Sequence, residues 1–223
     1  MNEPVITHVS DTARWIAAYR ALESRLPDAL FRDPFADRLA GPRGYAIVAK
    51  APILMARGGM VIARTKLIDD LILDCVGGGA DLVLNLAAGL DTRPYRLALP
   101  ETLRWVEVDL PELIAEKEAL LLGEHPACQL TRESVDLTDP NALAGLLDKW
   151  GTQAKRVVVI AEGLLMYLPV AAVEDLTRQM GRRPAMRWWI LSLNSSGAVN
   201  MLRSRFGRDL GGLELPFFFP RRA

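Results

Sequence analysis

The sequence predicts an α/β fold, a mostly parallel sheet with helices on both faces, over residues 80–223, preceded by a helical extension over residues 1–79. Three observations predict it. From Asp81 onward, short apolar runs alternate with segments of helical length, the pattern of strands joined by crossover helices. The run Leu82–Leu86 breaks into Ala87-Ala88-Gly89 and then Asp91, Thr92 and Pro94: a strand, a small-residue turn and a helix start. An acidic residue stands close after each of four successive strands.

The elements follow in order. Ser10 and Asp11 can cap a first helix whose Trp15, Ala18, Leu22 and Leu26 fall at helical spacing, with Pro27-Asp28 as its end. Pro34 holds Asp33 out of helical geometry and marks a turn. Between Gly41 and Gly59, Pro42, Pro52 and the Gly58-Gly59 pair predict irregular structure. A long helix is expected from Met60 to Val76, with Ile68, Leu71, Ile72 and Cys75 on one face and Gly77-Gly78-Gly79 as its stop. Strands are expected at Asp81–Leu86, Leu103–Val108, Cys128–Val135, Val157–Ala161 and Arg187–Leu193, with helices at Pro111–Leu122, Asn141–Lys149 and Val170–Met180. No repeat, low-complexity segment or linker divides the chain, which reads as a single domain.

Composition bounds the function. The 223 residues are 50% hydrophobic and 24% charged, ordinary for a soluble globular protein with a real core. The formal net charge is zero, so nothing pulls the chain toward nucleic acid or an anionic membrane. Two cysteines, Cys75 and Cys128, and two histidines, His8 and His125, argue against a disulfide framework and a metal centre. The sequence shows neither a signal peptide nor an apolar run that could span a bilayer, and a cytoplasmic protein is expected.

In a parallel sheet the ligand lies outside the carboxyl ends of the strands. There the sequence puts Gly89 and Asp91, then Asp109, then Asp136-Leu137, then Glu162-Gly163. Any one of these acids could be a helix cap, but four at four successive strand ends point to a shared site. Asp109 follows Gly89 by about twenty residues, the separation at which a carboxylate accepts hydrogen bonds from a ribose diol. A dinucleotide pyrophosphate would want more glycine in the first loop and less negative charge around it. A sulfonium nucleoside such as S-adenosylmethionine is positive at sulfur and amine, so acidic neighbours favour it. Its carboxylate then needs a cation. Arg64, four residues before Ile68 and on or beside the apolar face of its helix, is a candidate, although an arginine there can also simply snorkel to the rim.

The stretches L-N-L-A-A-G-L-D-T-R-P-Y-R-L, W-V-E-V-D-L-P, Asp136-Leu137 and A-E-G-L-L-M-Y-L-P together resemble the leucine carboxyl methyltransferase-like family. This is a branch of the class I S-adenosylmethionine-dependent methyltransferases that includes bacterial polyketide and natural-product O-methyltransferases. T-A-R-W-I-A-A-Y-R-A-L-E-S and R-D-P-F-A-D-R-L-A-G look like its leading helix and turn, so the likeness runs from about Ser10 to about Leu210. It implies a Rossmann-like class I core, S-adenosylmethionine as cofactor and a small-molecule methyl acceptor. It implies that Arg64 holds the cofactor carboxylate, that Gly89 admits the methionine portion and that Asp109 binds the ribose. Asp136 and Leu137 would meet the adenine, Glu162 would lie near the amino group, and the helix carrying Tyr19 and Arg20 would cover the site. The chain departs from the family in two places. Ala87 and Ala88 stand where general methyltransferase loops carry glycine, and no sequence remains after Phe217-Phe218-Phe219 for the two strands that complete a seven-stranded sheet. The truncated sheet is expected to expose an edge that a second chain could cover.

Three readings follow: an O-methyltransferase acting on a carboxylate or hydroxyl of a small molecule, a shortened relative that binds cofactor or partner with little activity, and a nicotinamide oxidoreductase. Ala87-Ala88-Gly89 argues against the last. No catalytic base is assigned: His8 reads as a surface residue, and Tyr167 reads as packing or as a group that orients the acceptor.

Overall fold

The computed structural model describes Ile6 and residues 8–50 and 58–193. Within it, five strands form one all-parallel sheet in the order β3-β2-β1-β4-β5. These are β1 (Leu82–Leu86), β2 (Arg104–Asp109), β3 (Gln129–Ser134), β4 (Val157–Ala161) and β5 (Met186–Leu191). Each falls within a residue or two of its expected place.

β1 is central and buried along its whole length, which is why it reads as an unbroken apolar run. Its period of two divides the core. Leu82, Leu84 and Leu86 join Val106, Val108, Val157 and Val159 on the face covered by α6 (Pro140–Gln153) and α7 (Val170–Gly181). Val83 joins Trp105, Val158 and Ile160 on the other, covered by Ile68 and Ile72 of α3 (Gly59–Gly77). Strand order reverses at β1, whose neighbours are β2 on one side and β4 on the other. A crevice opens at such a reversal, beyond the carboxyl ends of the strands.

The N-terminal helices lie over that end. α1 (Val9–Ser24) begins before its expected caps: Asp11 is the third residue of a capping box and reaches back to the His8 N–H at 3.4 Å. α2 (Ala36–Lys50) corrects the expectation of irregular structure after Gly41. Gly41 does break the helix, with φ 54° and ψ −177°, but Pro42 then sits in the first turn of a new helical segment, where its missing N–H costs nothing. Ile47 buries that segment against Trp15 and Tyr19 of α1. The two helices approach so closely that a Cβ on Gly44 would stand 2.5 Å from the Arg14 carbonyl oxygen. The expectations for Pro52 and for the C-terminal strands fall on residues 51–57 and 194–223, outside the described residues.

α4 (Arg93–Arg96) is a single turn, and α5 (Pro111–Leu120) links β2 to β3. No helix among the described residues is long and apolar enough to cross a membrane.

Candidate active site

A cavity of about 740 Å³ lies at the strand reversal, within the size range of small-molecule and cofactor sites. Its floor is built from the loops after all five strands, and α1 and α3 close over it with Trp15, Ile16, Met60 and Val61. Arg64, Gly89, Asp109, Asp136, Leu137 and Glu162 all line it. Residues far apart in the chain meet there because β1 and its neighbours are in register: Leu86 stands opposite Val108, and Asn85 opposite both Glu107 and Ile160.

The loop after β1 turns through two left-handed residues, Ala87 at φ 53° and Gly89 at φ 50°. An alanine in that conformation is strained, and such strain gathers at functional sites. The Gly89 N–H donates to Asp109 Oδ2 at 2.6 Å, and the Leu110 N–H to Oδ1 at 2.8 Å. Burial nevertheless outweighs these two bonds and pushes the Asp109 carboxyl above its usual range. Asp136, by contrast, is exposed, and its Oδ1 accepts from the Thr138 hydroxyl and N–H at 2.6 and 2.8 Å. Those bonds hold it below the usual range.

Glu162, just past β4, is bound at both oxygens. Arg64 Nε donates to Oε1 and Arg93 Nη1 to Oε2, each at 2.8 Å. Burial would raise its pKa, but the two guanidinium groups prevail and keep it ionised. Arg64 is therefore more than a rim residue, and its side chain keeps 31% of its surface exposed at the cavity.

Sequence reasoning missed the layer of charge beneath. Arg93 is 3% exposed and donates to Asp69, Asp91 and Glu162. Asp91 was expected to cap a helix; it does accept the Arg93 N–H at 2.9 Å, and it also accepts Asn85 Nδ2 at 2.8 Å. Thr92, the other expected cap, instead donates its hydroxyl to Asp33 at 2.6 Å. Arg20 lines the cavity and ties α1 to Asp33 at 2.8 Å and to the Leu90 carbonyl at 2.6 Å, whereas Tyr19 turns away into the helix core. One signal was present in the sequence: Asp69 stands between Ile68 and Ile72 on the buried face of α3, where a lone carboxylate requires a cation.

Tyr167 lines the cavity with its hydroxyl bonded to Thr12, and burial raises its pKa. His8 is exposed.

The family model for leucine carboxyl methyltransferase matches residues 13–181, most of the chain. This chain belongs to the leucine carboxyl methyltransferase family. A Streptomyces coelicolor protein named "Putative S-adenosyl-L-methionine-dependent methyltransferase" is 36% identical over 203 residues, covering 84% of this chain and 70% of its own length. A Mycobacteroides abscessus protein of the same description is 37% identical over 190 residues, 79% of this chain and 60% of its own. The chain thus spans about 60–70% of the length of these curated relatives. The crystal structure of a DUF574 family protein from Streptomyces avermitilis matches 97% of the chain at a TM-score of 0.63 and 18% identity, with 80% of that protein covered. A Thermobifida fusca structure matches 91% at 0.56 and 18% identity, with 75% of it covered. At that identity these two show the fold alone, and it is the Rossmann-like fold that the family resemblance implies. In this member of the leucine carboxyl methyltransferase family, Ala87 takes up a left-handed turn that glycine would hold without strain.

Proposed function

We propose that the chain is an S-adenosylmethionine-dependent methyltransferase that methylates an oxygen, carboxylate or hydroxyl, of a small molecule such as a polyketide or another secondary metabolite. One observation carries the reading: Asp109 ends β2 inside the cavity, with its carboxylate fixed by the Gly89 N–H and beside the only glycine of the first loop. That is the donor and acceptor chemistry a ribose diol needs. The residues fit the rest of the cofactor. Asp109 and Asp136 bring negative charge to the cavity, suited to a sulfonium. Glu162, its charge balanced by Arg93 and Arg64, still presents acceptor oxygens to an ammonium, and Arg64 offers a cation to the carboxylate. Leu137 and Val135 provide apolar surface for a purine beside Asp136.

S-adenosylmethionine supplies a methyl group on a positively charged sulfur. The protein's own task is alignment and exclusion of water. α1 and α3 form a lid over the sheet, and their Trp15, Ile16, Met60 and Val61, with Met166 and Tyr167 from beyond β4, make the acceptor side. A carboxylate acceptor is ionised at neutral pH and needs no base, whereas a hydroxyl acceptor is oriented by Tyr167 and Thr12.

Calorimetric titration of the chain with S-adenosylmethionine and with its demethylated product tests the reading. Saturable micromolar binding of both is expected, followed by methyl transfer to a small carboxylic acid or phenol. Failure of the folded protein to bind either overturns it.

A further inference from the structure

Arg93 touches three separate parts of the site. Its Nε donates to Asp69 Oδ1 on α3 at 2.7 Å, and its Nη1 lies 2.9 Å from Asp91 Oδ2 and 2.8 Å from Glu162 Oε2. Asp69 is gripped a second time by Arg96, at 2.6 and 2.8 Å. One guanidinium thereby joins the loop after β1, the end of β4 and the helix that carries Arg64. Its side chain is 4% exposed, against 31% for Arg64.

The charges in this cluster balance. Arg64, Arg93 and Arg96 face Asp69, Asp91 and Glu162. Without Arg93, Glu162 would be left with Arg64 as its ion-pair partner, already 2.8 Å away through Nε, and Asp91 would keep only the charges of Lys117 and Arg96, neither of which forms an ion pair with it among the described residues. A carboxylate in so dry a site captures whatever cation it can reach. The Nη1 and Nη2 of Arg64, which its bond to Glu162 through Nε leaves over, would then be drawn to the protein's carboxylates in place of a ligand's.

We propose that Arg93 is a positioning residue for the carboxylate subsite. By neutralising Glu162 and Asp91 from the protein side, it keeps Nη1 and Nη2 of Arg64, whose Nε alone bonds Glu162, available to an incoming carboxylate. The inference rests on the cofactor reading above and on the role given there to Arg64. Lysine cannot replace Arg93, because an ammonium is a point charge and not a planar fork able to bridge three acceptors.

Two ligands isolate the effect. S-adenosylhomocysteine carries the amino-acid carboxylate, and 5′-methylthioadenosine shares the adenosine but lacks the amino acid. Calorimetry is performed on the wild type, Arg93→Lys, Arg64→Ala and the double variant. Arg93→Lys is expected to weaken S-adenosylhomocysteine about tenfold, the scale of a charged hydrogen bond, while methylthioadenosine affinity holds. In the Arg64→Ala background the second change is expected to add nothing. Equal losses for both ligands, or a full additional loss on top of Arg64→Ala, overturn the proposal. If Arg93→Lys does not fold, Arg93→Gln takes its place, and failure of both to fold makes Arg93 a scaffold residue and overturns the proposal as well. Wild-type protein that binds neither ligand overturns the cofactor reading, and this one with it. Wild-type protein that binds both isolates any failure to Arg93.

Discussion

The Gly89 N–H donates to the Asp109 carboxylate at 2.6 Å, joining the turn after β1 to the end of β2 at the point where the sheet reverses. This bond aims a carboxylate into the cavity and fixes the backbone that a ligand would approach. Asp109→Ala is expected to weaken S-adenosylmethionine binding by about 2–3 kcal/mol, through lost hydrogen bonds to a charged acceptor. Calorimetry on the folded variant checks it, and unchanged affinity would move the site elsewhere.

Arg64→Ala should cause a similar loss of binding with little loss of stability, because its side chain is 31% exposed. Paired titration and thermal melts separate the two. A fall in melting temperature with affinity intact would return Arg64 to a structural role.

Acid should affect binding and folding at different pH. Burial raises the Asp109 pKa, so on acidification it protonates earlier than an ordinary carboxylate and stops serving as a double acceptor. At Asp33, Asp91 and Glu162 burial is the largest single influence and pushes upward, but neighbouring arginines, led by Arg20 at Asp33 and by Arg93 at the other two, together with hydrogen bonds, outweigh it and shift these groups down. Their contribution to stability is fully present above the unfolded values, 3.8 for Asp and 4.5 for Glu, and is lost as pH falls through the lower folded values. Cofactor affinity is therefore expected to decline first and the fold to fail at lower pH. Titrations and circular dichroism across the same pH series would show the order, and coincident transitions would contradict it.

Lys117 and Glu107 form a buried pair at 2.7 Å, both side chains under 3% exposed, with Arg132 on the second carboxylate oxygen at 2.9 Å. Lys117→Met should cost about 3–5 kcal/mol by stranding part of a buried charge. The Glu107→Gln/Lys117→Met double variant should recover a share of that, as urea unfolding would reveal.

Gly89→Ala tests the turn itself. At φ 50° an alanine costs about 1–2 kcal/mol, while its Cβ would meet only Ala13 at an ordinary 3.5 Å. A stability loss of that size in urea is expected. A neutral result would mean the loop relaxes out of its left-handed turn.

Most of the fold was legible in the sequence because burial on both faces writes a strand such as Leu82–Leu86 or Val157–Ala161 as an unbroken apolar run. The acids at the strand ends were legible for a related reason: a parallel sheet gathers its carboxyl ends, so position along the chain gives position in the site. What failed was local. Gly41-Pro42 reads as a broken segment, yet tertiary packing of Ile47 against α1 sustains a second helical stretch behind the break. Thr92 reads as a cap, yet its hydroxyl finds Asp33 across a distance no local pattern encodes.

By itself the sequence determined the order of elements, the family and six residues that line the cavity, Arg64, Gly89, Asp109, Asp136, Leu137 and Glu162, because periodicity, turn chemistry and strand-end placement are properties of neighbouring residues. Only the tertiary structure decided which charges pair. Arg93 could have met any of several carboxylates, and the choice of Asp69, Asp91 and Glu162 depends on how α3 crosses the sheet and where β4 ends beside β1. Ion pairing in a dry interior is settled by distances of a few ångströms between segments far apart in the chain, and those distances exist only after the core has closed.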